Sequence, residues 1–332
     1  MARPLLNPGM RRDQSMVAAM LALALLAAAP TDARAQNLDR RVPVKPGGLL
    51  QVDLDLGEEI RPERVTLEVR SHDADEVWVI ADLSGLGASS IKFRLEHDGD
   101  VVRLYGRAGG LMSWIFGGPG VSVRVWVPRE FSLDLRCTSG PIRIEDVSGK
   151  IRARTGAAPI EVSGTGGELK LRTKTGAVRV TEMLGDVEVR ASEGAIDLRW
   201  VTGKVEARTG LGDIRVAHIN GPVDLRTDSG EIEIKDVRGS AEAKTERGAV
   251  YASFAASPSG VLETRWGSIE VLLPDHTGVL LDARTNIGTV EIGNGIRGKG
   301  ERGTDHFVGP VNGGGEPLRI YTARGAIRVD RR

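Results

Sequence analysis

Residues 176–180 read Gly-Ala-Val-Arg-Val, residues 194–198 Gly-Ala-Ile-Asp-Leu, residues 212–216 Gly-Asp-Ile-Arg-Val and residues 230–234 Gly-Glu-Ile-Glu-Ile. One phrase thus returns every 18 residues without slippage. Its glycine column runs Gly140, Gly176, Gly194, Gly212, Gly230 and Gly248, with Ala158 in phase; a second column, nine residues away, runs Gly149, Gly167, Gly185, Gly203, Gly221 and Gly239. Between glycines the residues alternate apolar and polar, which is the strand period. The apolar set after the first glycine includes Ile142, Ile160, Val178, Ile196, Ile214 and Ile232, and after the second Ile151, Leu169, Val187, Val205 and Val223. A corner column adds Val147, Met183, Val201, Ile219 and Val237. No window keeps a helical period.

A short strand with one apolar face cannot bury that face alone. Stacked parallel on the next coil at about 4.8 Å, equivalent positions superpose and the apolar columns merge into one core. The expected fold is therefore all-β: a β-solenoid (β-helix) of 18-residue coils, about two strands per coil, with irregular capped ends. Thr155, Thr173, Thr209, Thr227 and Thr245 form an inward column in which Cys137 and Ala191 replace threonine, so Cys137 reads as a small buried residue. The outward column Arg143, Glu161, Arg179, Asp197, Arg215, Glu233, Tyr251 alternates in sign. Parallel stacking would make these residues cross-strand pairs of about 0.2–1 kcal/mol each.

The flanks lack this beat. Residues 36–135 hold strand-like stretches that read as irregular coils and an N-terminal cap, residues 136–256 as the regular repeat, and residues 257–332 as irregular coils interrupted by a glycine-rich loop at 293–315. Within 111–116 the residues Leu111, Met112, Trp114, Ile115 and Phe116 form an apolar segment between glycine pairs. It reads as a cap over the solenoid end or as a contact site for a partner.

Residues 1–35 read as a signal peptide: Arg11 and Arg12 ahead of the apolar run 16–29, then Ala33-Arg34-Ala35 as a cleavage site before Gln36. Met10 is an alternative start. The run is shorter than the ~20 residues a membrane span needs, and no later segment approaches that length. The expectation is an exported chain, periplasmic or secreted, cleaved after Ala35, with no transmembrane segment in its mature part.

Composition narrows the chemistry. The 332 residues carry 45 Lys+Arg against 45 Asp+Glu, a balance that argues against nucleic acid as the partner. One cysteine excludes a disulfide framework or a multi-cysteine metal site. Glycine is about 13% of the chain, against a usual ~7%, and aromatics are 4%, as suits short strands and tight corners.

The signal peptide, the leader ending Val125-Trp126-Val127-Pro128 and repeat units such as Thr173-Lys174-Thr175-Gly176-Ala177-Val178-Arg179-Val180 together resemble the bacterial putative-adhesin β-helix family of unknown function, related to the head-GIN domains. The resemblance spans residues 45–330. It implies the solenoid fold; for function it brings the label of adhesin, given largely by analogy, and no catalytic motif.

The remaining motifs point the same way. Gly293-Asn294-Gly295-Ile296-Arg297-Gly298 fits the dinucleotide pattern, but no helix is expected after it, so it reads as a loop. The histidines His72, His97, His218, His276 and His306 show no ligand spacing. No catalytic residue, metal site or cofactor is expected. The acidic column Glu188, Glu206, Asp224, Glu242 faces Arg190, Arg208, Arg226 and Lys244 two residues along, which reads as a solvated ion-pair ladder. The basic column extends to Arg154 and Arg172, where the acidic positions become Arg152 and Lys170, flanked by Lys150 and Lys174 and offset by Glu168.

Arg152, Arg154, Lys170 and Arg172 are therefore the candidate ligand-binding residues, suited to an anion. The functional expectation is a non-enzymatic, adhesin-like binding or scaffolding module of the bacterial envelope, with an anionic polysaccharide or envelope component as partner. The alternatives are a β-helix carbohydrate-active enzyme using Glu206 or Asp224, and a structural protein that self-associates or takes a protein partner through Trp114.

Overall fold

A computed structural model describes residues 37–57, 61–85, 88–108, 119–275, 277–293 and 295–332. The leader 1–35 and the apolar segment 111–116 lie outside the described residues. Among the described residues there is no α-helix; two short 3₁₀ turns, Pro62–Arg64 and Ala88–Ser90, accompany the strands.

The 18-residue beat appears directly as strand register. Val187–Glu193 pairs parallel with Val205–Leu211, and Val205–Leu211 with Val223–Ser229, each residue opposite the one 18 further on. A second ladder runs through Val178–Leu184, Ile196–Thr202 and Ile214–Asn220 with the same offset. Every coil contributes one strand to each ladder. Between them lie the alternate apolar residues, with Ile142, Leu169, Leu171, Val180, Leu198 and Ile214 fully buried, and the corner residues Val147, Met183, Val201, Ile219 and Val237 at most 1% exposed.

The first ladder carries the threonine column, and its hydroxyls have a defined task. Thr155, Thr209, Thr227 and Thr245 donate to the carbonyls of Gly140, Gly194, Gly212 and Gly230 at 3.0–3.3 Å, and Thr264, Thr285 and Thr322 continue the column onto Gly248, Gly325 and Gly267 at 2.9 Å. Corner carbonyls of one coil are thereby satisfied by a neighbouring coil. Cys137, in phase, donates its thiol to the Ser139 carbonyl at 2.8 Å, and burial pushes its pKa up to about 12.

The corners explain the glycine columns. Gly185 and Gly203 have φ of +134° and +147°, and a Cβ on Gly203 would collide with the carbonyl oxygen of Gly185 one coil away. Close backbone stacking and positive φ together admit no side chain there.

At both ends the order of coils in space departs from their order in the chain. Ser132–Cys137 stacks on Leu49–Asp55, which lies between it and Val101–Ala108; Val65–His72 likewise lies between Gly120–Pro128 and Ile142–Glu145. The C-terminal coil Pro317–Arg324 and Ile327–Arg331 is inserted between Gly260–Trp266 with Ile269–Leu273 and Val279–Ile287 with Val290–Ile292.

Each outermost coil is then covered by antiparallel strands. Glu76–Ser84 and Ile91–Asp98 cover the N-terminal end, with Leu38–Pro43 beyond the former; His306–Val311 covers the C-terminal one. The N-terminal edge strand carries Arg40, Arg41 and Pro43, residues that discourage further pairing. The stretch 293–315, expected to be a loop, holds Glu301–Arg302 and His306–Val311. Its glycines obscured the short alternation of Phe307 and Val311, which turn into the core.

Candidate functional site

The structure brings Arg152, Arg154, Lys170 and Arg172 together on the outer face of the threonine ladder. Arg152 lies opposite Lys170 and Arg154 opposite Arg172 on adjacent strands. They belong to two columns. The first is cationic for seven consecutive coils: Arg136, Arg154, Arg172, Arg190, Arg208, Arg226 and Lys244. Beside it run Asp134, Arg152, Lys170, Glu188, Glu206, Asp224 and Glu242, acidic except at the two coils where both columns are basic.

Like charges one strand apart repel, so the ladder depends on sideways partners. Arg190 reaches Glu188 and Arg226 reaches Asp224, both at 2.9 Å. The simple pairing expected for the other two acids is not what forms. Arg208 turns to Asp224 at 3.2 Å while Glu206 takes Lys204 at 2.5 Å, and Lys244 takes Glu263 at 3.3 Å rather than Glu242. Arg208 reaches diagonally, Lys204 sits outside the two columns, and Glu263 is the residue that follows Lys244 in register and ends the cationic column.

The four-cation cluster is also less bare than Glu168 alone implies. Glu168 bridges Lys150 at 3.0 Å and Lys170 at 2.6 Å, and Lys170 stands 3.8 Å from Glu188. Hydrogen bonds from Lys170 and then Lys150 lower the Glu168 pKa to about 2, and the bond that Lys170 donates to Glu168 raises the Lys170 pKa in turn. Arg152, Arg154 and Arg172 have no ion pair among the described residues. Arg154 and Arg172 are exposed, Arg152 and Lys170 half-buried. The surface offers guanidinium groups to an anion.

The opposite ladder follows another rule. Its outward column, in spatial order, is Arg124, Glu68, Arg143, Glu161, Arg179, Asp197, Arg215, Glu233, Tyr251, Glu270, Arg328, Glu291. The sign alternates throughout, including across the coils that are out of chain order, and breaks at Tyr251 alone. Arg143 bridges Glu161 at 3.0 Å and Glu68 at 3.5 Å. Charge is neutralised along this ladder and segregated along the other.

Sequence reasoning missed a third feature. The residue before each corner apolar position adopts φ near +57°: Asp146, Glu182, Trp200, His218 and Asp236, with Gly164 in phase. Trp200 and His218 stack with ring centroids 4.0 Å apart, and His218 Nδ1 is 3.4 Å from Asp236. The signal was the same 18-residue beat, in which Asp, His and Gly are residues that accept positive φ; Trp and Glu concealed it.

Among the described residues, no group of three or more His, Cys, Asp or Glu side chains gathers for a metal, and no helix is long and apolar enough to cross a membrane. No curated protein matches the chain. Solved structures align with it: a "putative cell adhesion protein" from Clostridium sporogenes (11% identity, 90% of this chain and 100% of that one, TM-score 0.19), and "putative adhesins" from Parabacteroides distasonis (9%, 89% and 98%, 0.32) and Bacteroides fragilis (11%, 90% and 97%, 0.29). Residues 183–330 match the family model described as Toastrack DUF4097, a narrower span than the 45–330 of the resemblance.

Proposed function

We propose that the chain is an exported, non-enzymatic binding module of the bacterial envelope, a single solenoid domain of residues 36–332 following a signal peptide at 1–35, and that it holds an anionic polysaccharide on its threonine ladder. The observation that carries this reading is the cluster of Arg152, Arg154 and Arg172, without ion pairs among the described residues, beside Lys170, where a column cationic for seven coils meets two cations of its neighbour. Cations repeated at the strand spacing of about 4.8 Å suit a polymer with regularly repeated anions. A rigid stack presents them with little entropy to lose on binding.

The acids of the neighbouring column support binding rather than catalysis. Glu188 and Asp224 are each paired with an arginine, and Glu206 with a lysine, so these three carboxylates already face a cation, and Glu242 stands without an ion pair among the described residues.

The test is binding of the exported protein to acidic and neutral polysaccharides at two salt concentrations. Binding to the acidic members should weaken with salt and disappear in the Arg152/Arg154/Lys170/Arg172→Glu variant. Unchanged binding by that variant would overturn the site assignment.

A further inference from the structure

Trp200, His218 and Asp236 occupy three consecutive coils at φ of +59°, +57° and +54°. A tryptophan at positive φ is an outlier, and Gly164 at φ +62° in the same column shows the residue that meets this turn without strain. Asp and His accept this conformation more readily than other non-glycine residues, so within the cleft the strain lies at Trp200, and its retention there points to a functional use of that side chain. Trp200 is 57% exposed, the most exposed Trp, Tyr or Phe ring among the described residues.

These side chains form one side of a cleft of about 550 Å³, with Thr202, Asn220 and Arg238 two residues along the same coils and Arg332 among the lining residues. That volume is in the range of small-molecule sites. Asp236 is held by an ion pair with Arg332 and lies beside His218. Arg238 has no ion pair among the described residues. The cleft thus combines a flat indole, a hydroxyl, a carboxamide and a guanidinium awaiting an anion.

A pyranose offers the matching set: C–H groups for the exposed part of the indole, one face of which is stacked on His218, hydroxyls for Thr202 and Asn220, and, in a uronic acid, a carboxylate for Arg238. We infer that the Trp200–Arg238 cleft binds the ring of an acidic sugar. The site is separate from the cation columns of the threonine ladder and does not depend on them.

The experiment is saturation-transfer NMR of the full chain with glucuronic and galacturonic acids, and glucose as the neutral control. Transfer to the ring protons of at least one uronate should exceed that to glucose. It should fall to background in Trp200→Gly, a substitution the backbone accepts, and be reduced in Arg238→Gln. It should persist in the Arg152/Arg154/Lys170/Arg172→Glu variant. Absence of transfer to both uronates, equal transfer to glucose, full transfer in Trp200→Gly, or its loss in the quadruple variant would each overturn the assignment.

Discussion

The Thr209 hydroxyl donates to the Gly194 carbonyl at 3.1 Å, joining the inward face of one strand to a glycine corner 15 residues earlier. Thr227 makes the same bond to Gly212 at 3.0 Å. Ala191, directly between Thr173 and Thr209 in register, has no hydroxyl to offer its equivalent corner, Gly176. Ala191→Thr should therefore add a buried hydrogen bond and raise stability by about 1 kcal/mol. Thr227→Val, which leaves the Gly212 carbonyl without its donor, should cost about 1–3 kcal/mol. Urea unfolding of both variants checks the pair, and an Ala191→Thr variant less stable than the parent would show the corner has no room.

The stacked glycines make a second comparison. At Gly203 the φ of +147° and the nearby Gly185 carbonyl both oppose a side chain, whereas Gly57 has φ +82° with open space around it. Both alanine variants suffer from the backbone conformation, but Gly203→Ala must also push two coils apart. It should lose more stability than Gly57→Ala by at least about 1 kcal/mol, read from the difference in denaturation midpoints.

Tyr251 stands between Glu233 and Glu270 where the alternating column calls for a cation. Tyr251→Arg should complete the sequence of signs and stabilise by about 0.2–1 kcal/mol at low salt, less as salt rises. Arg179→Glu, placed between Glu161 and Asp197, should destabilise by a similar amount. A salt-independent effect in either would mean packing, not charge, sets the preference.

The fold was legible because glycine, threonine and the apolar columns keep one period from Gly140 to Gly248. Identical coils stack only in that register. The order of coils at the ends was not legible, since parallel pairing of Leu49–Asp55 with both Val101–Ala108 and Ser132–Cys137 joins strands that share no fixed sequence period. Glu68 and Arg124 could not be placed in the alternating column from sequence for that reason. The four cations at Arg152 and its neighbours were legible as a group, but their partners were not: a lysine or arginine spans more than one coil, so Lys170 reaches Glu188 as well as Glu168. Trp200 was hidden because positive φ is a backbone property that its residue type argues against.

That strain is measurable apart from any ligand. A non-glycine residue in the left-handed region costs about 1–2 kcal/mol, while the stack of Trp200 on His218 returns about 0.5–1.5 kcal/mol. Trp200→Gly should accordingly stay within about 1 kcal/mol of the parent. Trp200→Val loses the same stack and keeps a β-branched residue at φ +59°, so it should unfold about 1–2 kcal/mol more easily than the glycine variant. Equal stability of the two would show that the corner relaxes in solution.

Glu168 links the ladder's charge to pH. Its hydrogen bonds with Lys170 and Lys150 hold its pKa at about 2, below the usual 4.5. Because the folded value is the lower one, its contribution to stability is complete above the unfolded value and is lost as pH falls from about 4.5 towards 2. Its carboxylate is 38% exposed, so solvent screens the effect. An NMR titration of the Glu168 carboxyl should show a midpoint near 2 that rises towards 4.5 in Lys170→Met. A midpoint near 4.5 in the parent would mean that the two lysines do not hold Glu168 in solution. The same carboxylate tempers the cation cluster, so Glu168→Gln should strengthen binding of a sulfated polysaccharide at neutral pH and steepen its salt dependence.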